Sequence, residues 1–117
     1  MKAAVNGVEI NYEVSGNEDK PWVTFSNSLA TNLHMWDEQA QALGSDFHVL
    51  RYDKRGHGQS EAIVVPYSFN DLMGDIVGLW DHLGIENTHF VGLSIGGMTA
   101  QGLMLEHAAP VSYTHLT

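Results

Sequence analysis

Hydrophobic and polar positions along this chain change period several times, and each change marks an element. Val8-Glu9-Ile10-Asn11-Tyr12-Glu13-Val14 alternates apolar and polar residues, the period of a half-buried strand, and Ser15-Gly16-Asn17 turns it. Trp22-Val23-Thr24-Phe25 is a short β-branched and aromatic run that suits a buried strand. Leu33 to Leu43 predicts a short helix closed by Gly44. Phe47-His48-Val49-Leu50-Arg51-Tyr52 predicts another strand, ending at Asp53. The period then lengthens: Leu72, Met73, Ile76, Val77, Trp80 and Leu83 keep helical spacing. Ser68-Phe69-Asn70-Asp71 in front of them has the form of a capping box, with Asp in place of the usual Glu, and Gly84 ends the run. A further strand follows at Thr88-His89-Phe90-Val91-Gly92, and Gln101 to Glu106 reads as helix again. Strands alternating with helices predict an α/β fold, a mostly parallel sheet with right-handed crossovers and helices on its faces. Ligands of such sheets gather at the C-terminal ends of the strands, so the loops after Phe25, Tyr52 and Gly92 are where chemistry is expected.

The last of these junctions carries Gly92-Leu93-Ser94-Ile95-Gly96-Gly97. Strand, tight turn bearing Ser, then helix is the context that the Gly-x-Ser-x-Gly nucleophile elbow requires. Reversing from strand to helix within about one residue forces the central serine into a positive-φ conformation, and neighbours with a Cβ would clash there. In return Oγ of Ser94 projects from the turn as a candidate nucleophile. The amide of Ile95, at a helix N-terminus, becomes a candidate donor to a developing oxyanion.

An acyl-transfer site needs a second such N–H, and the strand-to-helix loop Ser26-Asn27-Ser28-Leu29-Ala30-Thr31-Asn32 is where this kind of fold supplies it. Counting back from Trp36 points to the amide of Leu29, with that of Ser28 second; both residues are candidates for touching substrate. The loop Asp53-Lys54-Arg55-Gly56-His57-Gly58-Gln59-Ser60 shares the same edge. Arg55 or His57 would suit a substrate carboxylate, but an Asp–Arg pair and turn hydrogen bonds that brace the loop are the expected use. It is not a dinucleotide fingerprint, because Glu61 stands where a third glycine belongs, and no Gly-Lys-Ser/Thr phosphate loop occurs in the chain.

Composition narrows the classes without naming one. The 117 residues suffice for one core, and 44% hydrophobic with 16% charged residues is a globular balance. A formal charge of −9 argues against nucleic acid and anionic membranes as partners. The absence of cysteine removes disulfides, thiolate nucleophiles and Cys-based metal sites, and suits a cytoplasmic location. Met1 to Gly7 lacks the apolar core of a signal peptide.

These residues together resemble the α/β-hydrolase superfamily, and within it the 3-oxoadipate enol-lactonases, from about Val5 to His107. Arg51-Tyr52-Asp53-x-Arg55-Gly56-His57-Gly58-x-Ser60 and Gly92-Leu93-Ser94-Ile95-Gly96-Gly97-Met98 are similar to the superfamily's motifs. Ser26-Asn27-Ser28-Leu29, where most of the superfamily has His-Gly, followed by Met35-Trp36-Asp37, is similar to the enol-lactonases in particular. The resemblance implies Ser94 as nucleophile and the amides of Leu29 and Ile95 as oxyanion hole. It implies hydrolysis of a small lactone or ester, with neither cofactor nor metal; the family opens a carboxymethyl-bearing enol-lactone in aromatic-compound degradation. Neighbouring readings are a carboxylesterase, a cofactor-free haloperoxidase-like enzyme, or a non-catalytic ligand-binding relative. Oligomeric state is left open.

One departure stands out. The chain order in this superfamily is Ser, then Asp or Glu, then His. His107, thirteen positions along the helix from Ser94, is about 20 Å away, and His115 follows with no acidic residue between it and Glu106. His34, His48, His57, His82 and His89 precede the serine and read as surface or packing residues. The expectation is therefore residues 1–109 as the N-terminal part of an α/β-hydrolase core, truncated after the elbow helix and lacking the triad acid and base. Residues 110–117, from Pro110-Val111-Ser112 onward, read as an aberrant tail. On this reading the elbow strand is left as a sheet edge, and Val91, Leu93, Leu103 and Leu105 lack partners on one face.

Overall fold

A computed structural model of the chain describes residues 1–28, 30–62, 67–106 and 111–116. Its strands are β1 (Lys2–Val5), β2 (Val8–Gly16), β3 (Trp22–Ser26), β4 (His48–Tyr52), β5 (Thr88–Gly92) and β6 (Val111–Leu116). The helices are α1 (Asp37–Leu43), α2 (Phe69–Leu83) and α3 (Ile95–Glu106). They build one sheet in the order β1-β2-β4-β3-β5-β6. The pairs β4–β3, β3–β5 and β5–β6 are parallel, while β1 and β2 add an antiparallel flank.

The elements follow from local chemistry. Asn6 at φ 49° and Gly7 at φ 80° make the two-residue turn that the right-handed twist of a hairpin favours, and they join β1 to β2. α2 begins at Ser68, whose hydroxyl accepts the Asp71 amide while the Asp71 carboxylate accepts the Ser68 amide; Gly84 at φ 70° ends it. The stretch Leu33–Leu43 is a helix in two parts rather than one. Asn32 caps a 3-10 turn at Leu33–Trp36 by accepting the His34 amide, and only Asp37–Leu43 is α-helical.

α2 and α3 cover one face of the sheet, where Ile10, Leu50, Tyr52, Ile76, Leu79, Trp80, Phe90 and Leu103 are buried. Val23, Phe25, Val49, Trp36 and Ala40 form the core on the α1 face. Burial on both faces is why β3, β4 and β5 send apolar side chains to both layers, Leu50 and Phe90 to one and Val23, Phe25 and Val49 to the other. A polar ladder crosses the first face: Trp80 Nε1 donates to Thr24 Oγ1 at 3.1 Å, and the Thr24 and Thr88 hydroxyls lie 2.9 Å apart.

The strand β1 is one that the hydrophobic pattern does not predict, and two expectations need correction. β5 is not the sheet edge, because Val111–Leu116 pairs with it in parallel after a register irregularity between Thr88 and His89. The unpartnered apolar face is also smaller than expected: Leu103 is fully buried and Val91 and Leu93 are half-buried, whereas Leu105 is exposed. The expected boundary between residues 109 and 110 lies outside the described residues. Among the described residues no helix is long and apolar enough to cross a membrane.

Candidate active site

β5 ends at Gly92, and the chain reverses into α3 through Leu93 and Ser94. Ser94 sits at φ 57°, the left-handed strain expected of an elbow serine, and its side chain is exposed. The glycines on either side are there for close approach. A Cβ on Gly92 would collide with the Gly96 carbonyl, and one on Gly96 with the carbonyl oxygen of Ser26. The first helical turn closes with Gly96 N donating to Leu93 O and Met98 N to Ser94 O, both at 3.0 Å. The Ile95 N–H belongs to the first-turn donors that a helix leaves without an internal acceptor. Among the described residues no side chain hydrogen-bonds Ser94 Oγ.

The β3 loop stands beside the elbow because Ser26 and Gly92 are in register. Leu93 N donates to Ser26 O at 3.2 Å, which ties the two turns together directly. The loop is a buried polar assembly. Ser26 Oγ and Tyr52 Oη share a hydrogen bond at 2.8 Å, and burial pushes the Tyr52 phenol up to about 12. Asn27, fully buried, donates through Nδ2 to Tyr52 O at 2.9 Å and accepts from Trp36 Nε1 at 2.8 Å. Lys54 Nζ donates to the carbonyls of Asn27 at 3.0 Å and Ser28 at 2.7 Å. Lys54 is only 2% exposed, and burial lowers its pKa from 10.5 to about 8, with the Asp53 carboxylate opposing the shift. Thr31 Oγ1 closes the turn on Ser28 O at 2.7 Å.

The third loop is braced. The Asp53 carboxylate accepts from Asn11 Nδ2 at 2.9 Å, Leu33 N at 2.7 Å and Gln59 N at 2.9 Å. Ser60 Oγ donates to Asp53 O at 2.6 Å and accepts Asn11 N at 2.8 Å. Arg55 is buried against Asp75 of α2, so the expected Asp–Arg pair forms with a residue outside the loop. His57 Nδ1 lies 3.0 Å from Arg55 O.

Ser94, Ile95 and Ser28 thus come to one edge of the sheet. Leu29 lies outside the described residues. The upstream histidines make contacts of their own: His48 stacks on Trp22 at 3.6 Å between ring centroids, His82 packs edge-on to Tyr12, His89 edge-on to Phe47, and His34 pairs with Asp37. Among the described residues no cluster of His, Cys, Asp or Glu is arranged to hold a metal ion. A shallow depression of about 350 Å³ opens elsewhere, lined by Ser15, Asp37, Gln41 and Arg51, and includes none of the elbow residues. The sequence reading missed Lys54 and the buried role of Asn27, because their partners are remote in the chain and no local pattern announces them.

Comparison with known proteins agrees with this geometry. Residues 21–114 match the family model described as alpha/beta hydrolase fold. The chain is 44% identical over 98 residues to 3-oxoadipate enol-lactonase 2 of Acinetobacter baylyi, covering 84% of this chain and 37% of the relative. It is 41% identical over 103 residues to 3-oxoadipate enol-lactonase 1 of the same organism, covering 88% and 38%. The crystal structure of the enol-lactonase from Burkholderia xenovorans LB400 superposes with a TM-score of 0.94 at 46% identity, covering 97% of this chain and 45% of that one. The chain therefore spans less than half the length of these relatives. With the elbow, the register of β3 beside β5 and a family match over most of its length, this chain belongs to the α/β-hydrolase family.

Proposed function

We propose that the protein carrying this segment is a serine hydrolase of small lactones or esters, with 3-oxoadipate enol-lactone as its substrate and Ser94 as its nucleophile. The observation that carries the reading is Ser94 held at φ 57° between two turns that Leu93 N and Ser26 O join. That arrangement exposes Oγ and brings the first turn of α3 and the 26–32 loop to the same end of the sheet, which supports reading their N–H groups as the oxyanion donors. Oγ adds to the lactone carbonyl carbon, giving a tetrahedral oxyanion held by the Ile95 amide and an amide of the 26–32 loop. Collapse breaks the ring acyl C–O bond, releasing the enol oxygen with a proton, and water then hydrolyses the acyl-serine. The base that takes the Oγ proton, and the acid that orients it, are assigned to residues outside this segment. The substrate assignment is supported by the two enol-lactonases at 44% and 41% identity.

The test is hydrolysis of the enol-lactone and of p-nitrophenyl acetate by the full-length gene product and by Ser94→Ala. Loss of turnover down to the small residual rate that binding and oxyanion donors supply is expected. Turnover of the acetate alone redirects the reading to a carboxylesterase. Unchanged turnover in Ser94→Ala removes Ser94 as nucleophile. Tight lactone binding without turnover by the unsubstituted protein favours a ligand-binding relative.

A further inference from the structure

We propose that Lys54 is a positioning residue for the oxyanion hole: by holding the carbonyls of Asn27 and Ser28, its buried ammonium fixes the direction of the Asn27–Ser28 peptide and strengthens the Ser28 N–H as a donor. The inference rests on the hydrolase reading above and deepens it.

The carbonyl and the N–H of one planar trans peptide point in opposite directions. The Asn27 carbonyl shares a peptide plane with the Ser28 N–H, so the bond from Nζ at 3.0 Å turns that N–H away from the ammonium. The Ser28 carbonyl takes a second bond from Nζ at 2.7 Å, beside the one from Thr31 Oγ1 at 2.7 Å, so the ammonium is anchored at two successive carbonyls. The first of these peptides contains the Ser28 N–H, one of the two amides that the sequence nominates as the loop's oxyanion donor. The remaining anchors of Asn27, from Trp36 Nε1 and to Tyr52 O, engage its side-chain amide. They hold the residue in place, while its carbonyl takes the bond from Lys54.

Charge adds to orientation. A cation on a carbonyl draws electron density through the amide and makes its N–H a stronger donor, and burial leaves that field poorly screened. An ammonium at this depth carries a desolvation cost that an isosteric methionine would avoid. The charge is spent on the two loop carbonyls, with Asp53 as the neighbouring charged group, itself engaged with Asn11, Leu33 and Gln59.

The experiment compares Lys54→Met with the unsubstituted full-length protein. The kcat for enol-lactone and p-nitrophenyl acetate should fall roughly 10- to 100-fold with KM changed by less than about twofold, since oxyanion donors act on the transition state. The unsubstituted enzyme should lose kcat as pH rises through about 8, the pH at which Lys54 gives up its proton, and Lys54→Met should lack that limb. A lysine with a merely structural role would move the unfolding midpoint and leave kcat per folded molecule and its pH profile alone. Independently of activity, the serine-selective ¹⁵N resonance of Ser28 should titrate with the same midpoint, and this measurement needs no variant to fold. A Ser28 amide that does not move between about pH 6 and 10 overturns the proposal, whether or not the protein hydrolyses lactones. So does Lys54→Met with the original kcat and pH profile in an enzyme whose turnover depends on Ser94. Absence of Ser94-dependent turnover combined with a titrating Ser28 amide overturns the hydrolase reading instead, and with it the catalytic half of the proposal.

Discussion

The guanidinium of Arg55 grips both oxygens of Asp75, Nε to Oδ2 at 2.7 Å and Nη2 to Oδ1 at 2.6 Å. Asn6 Nδ2 donates to the same Oδ1 at 3.0 Å. One buried carboxylate on α2 therefore joins the β1–β2 turn to the loop after β4, and every partner it has comes from a different part of the chain.

Asp75→Ala should destabilise the protein by about 3–5 kcal/mol, because it strands a buried guanidinium. The double variant Arg55→Met with Asp75→Leu should recover much of that loss, since an apolar replacement of a buried pair is often near neutral. Urea unfolding measures both. An Asp75→Ala protein with the original midpoint would show that water already screens the pair.

Gly96→Ala should lose activity out of proportion to stability. The added methyl meets the Ser26 carbonyl, so the elbow and the β3 loop must separate. Overpacking of this kind costs about 1–3 kcal/mol, whereas a displacement of about 1 Å between nucleophile and oxyanion donor costs on the order of 100-fold in rate. Thermal unfolding together with lactone hydrolysis separates the two, and a soluble Gly96→Ala protein at full rate would refute the tight packing.

Alkaline pH should act on stability through two buried groups with opposite signs. Lys54 titrates near 8 when folded and at 10.5 when unfolded, so the unfolded chain holds more protons in that window and stability rises with pH across it, by at most about 3 kcal/mol. Tyr52, raised from 10.0 to about 12, contributes stability that is complete below 10 and lost as pH climbs toward 12. Unfolding free energies should therefore climb from about pH 8 to 10 and turn over above it. In Lys54→Met the climb should vanish and the later fall remain; a climb that persists there assigns it to another group.

What the sequence made legible was what local sterics decide. The elbow could be read from Gly92, Ser94 and Gly96 because strain and close approach leave few alternatives at those positions. The ends of α2 could be read because Ser68, Asp71 and Gly84 act within one turn. β1 was missed although Asn6-Gly7 is a strong hairpin signal, since a four-residue strand shows little periodicity of its own. The division of Leu33–Leu43 into a 3-10 turn and an α-helix was not legible, because a capped 3-10 turn and a capped α-helix look alike in sequence. Lys54 with the Asn27 and Ser28 carbonyls, Trp36 with Asn27, and Arg55 with Asp75 were out of reach for a different reason. Each is a contact between loops that become neighbours only once the sheet has formed.

The position of β3 between β4 and β5 has a kinetic consequence. The Thr24–Thr88 contact spans 64 residues of chain, while β4 returns to β3 after a much shorter excursion. Closing the longer loop costs more chain entropy and adds to contact order, so β5 should dock after β3 and β4 have paired. Pulsed hydrogen exchange during refolding should find the Val49 and Leu50 amides protected before that of Phe90, and simultaneous protection would argue for a concerted closure. Until β5 arrives, Ser26 has no Leu93 to bind and Gly96 has no carbonyl to crowd against, so the serine's strained geometry is a late product of folding and not a property of its own hexapeptide.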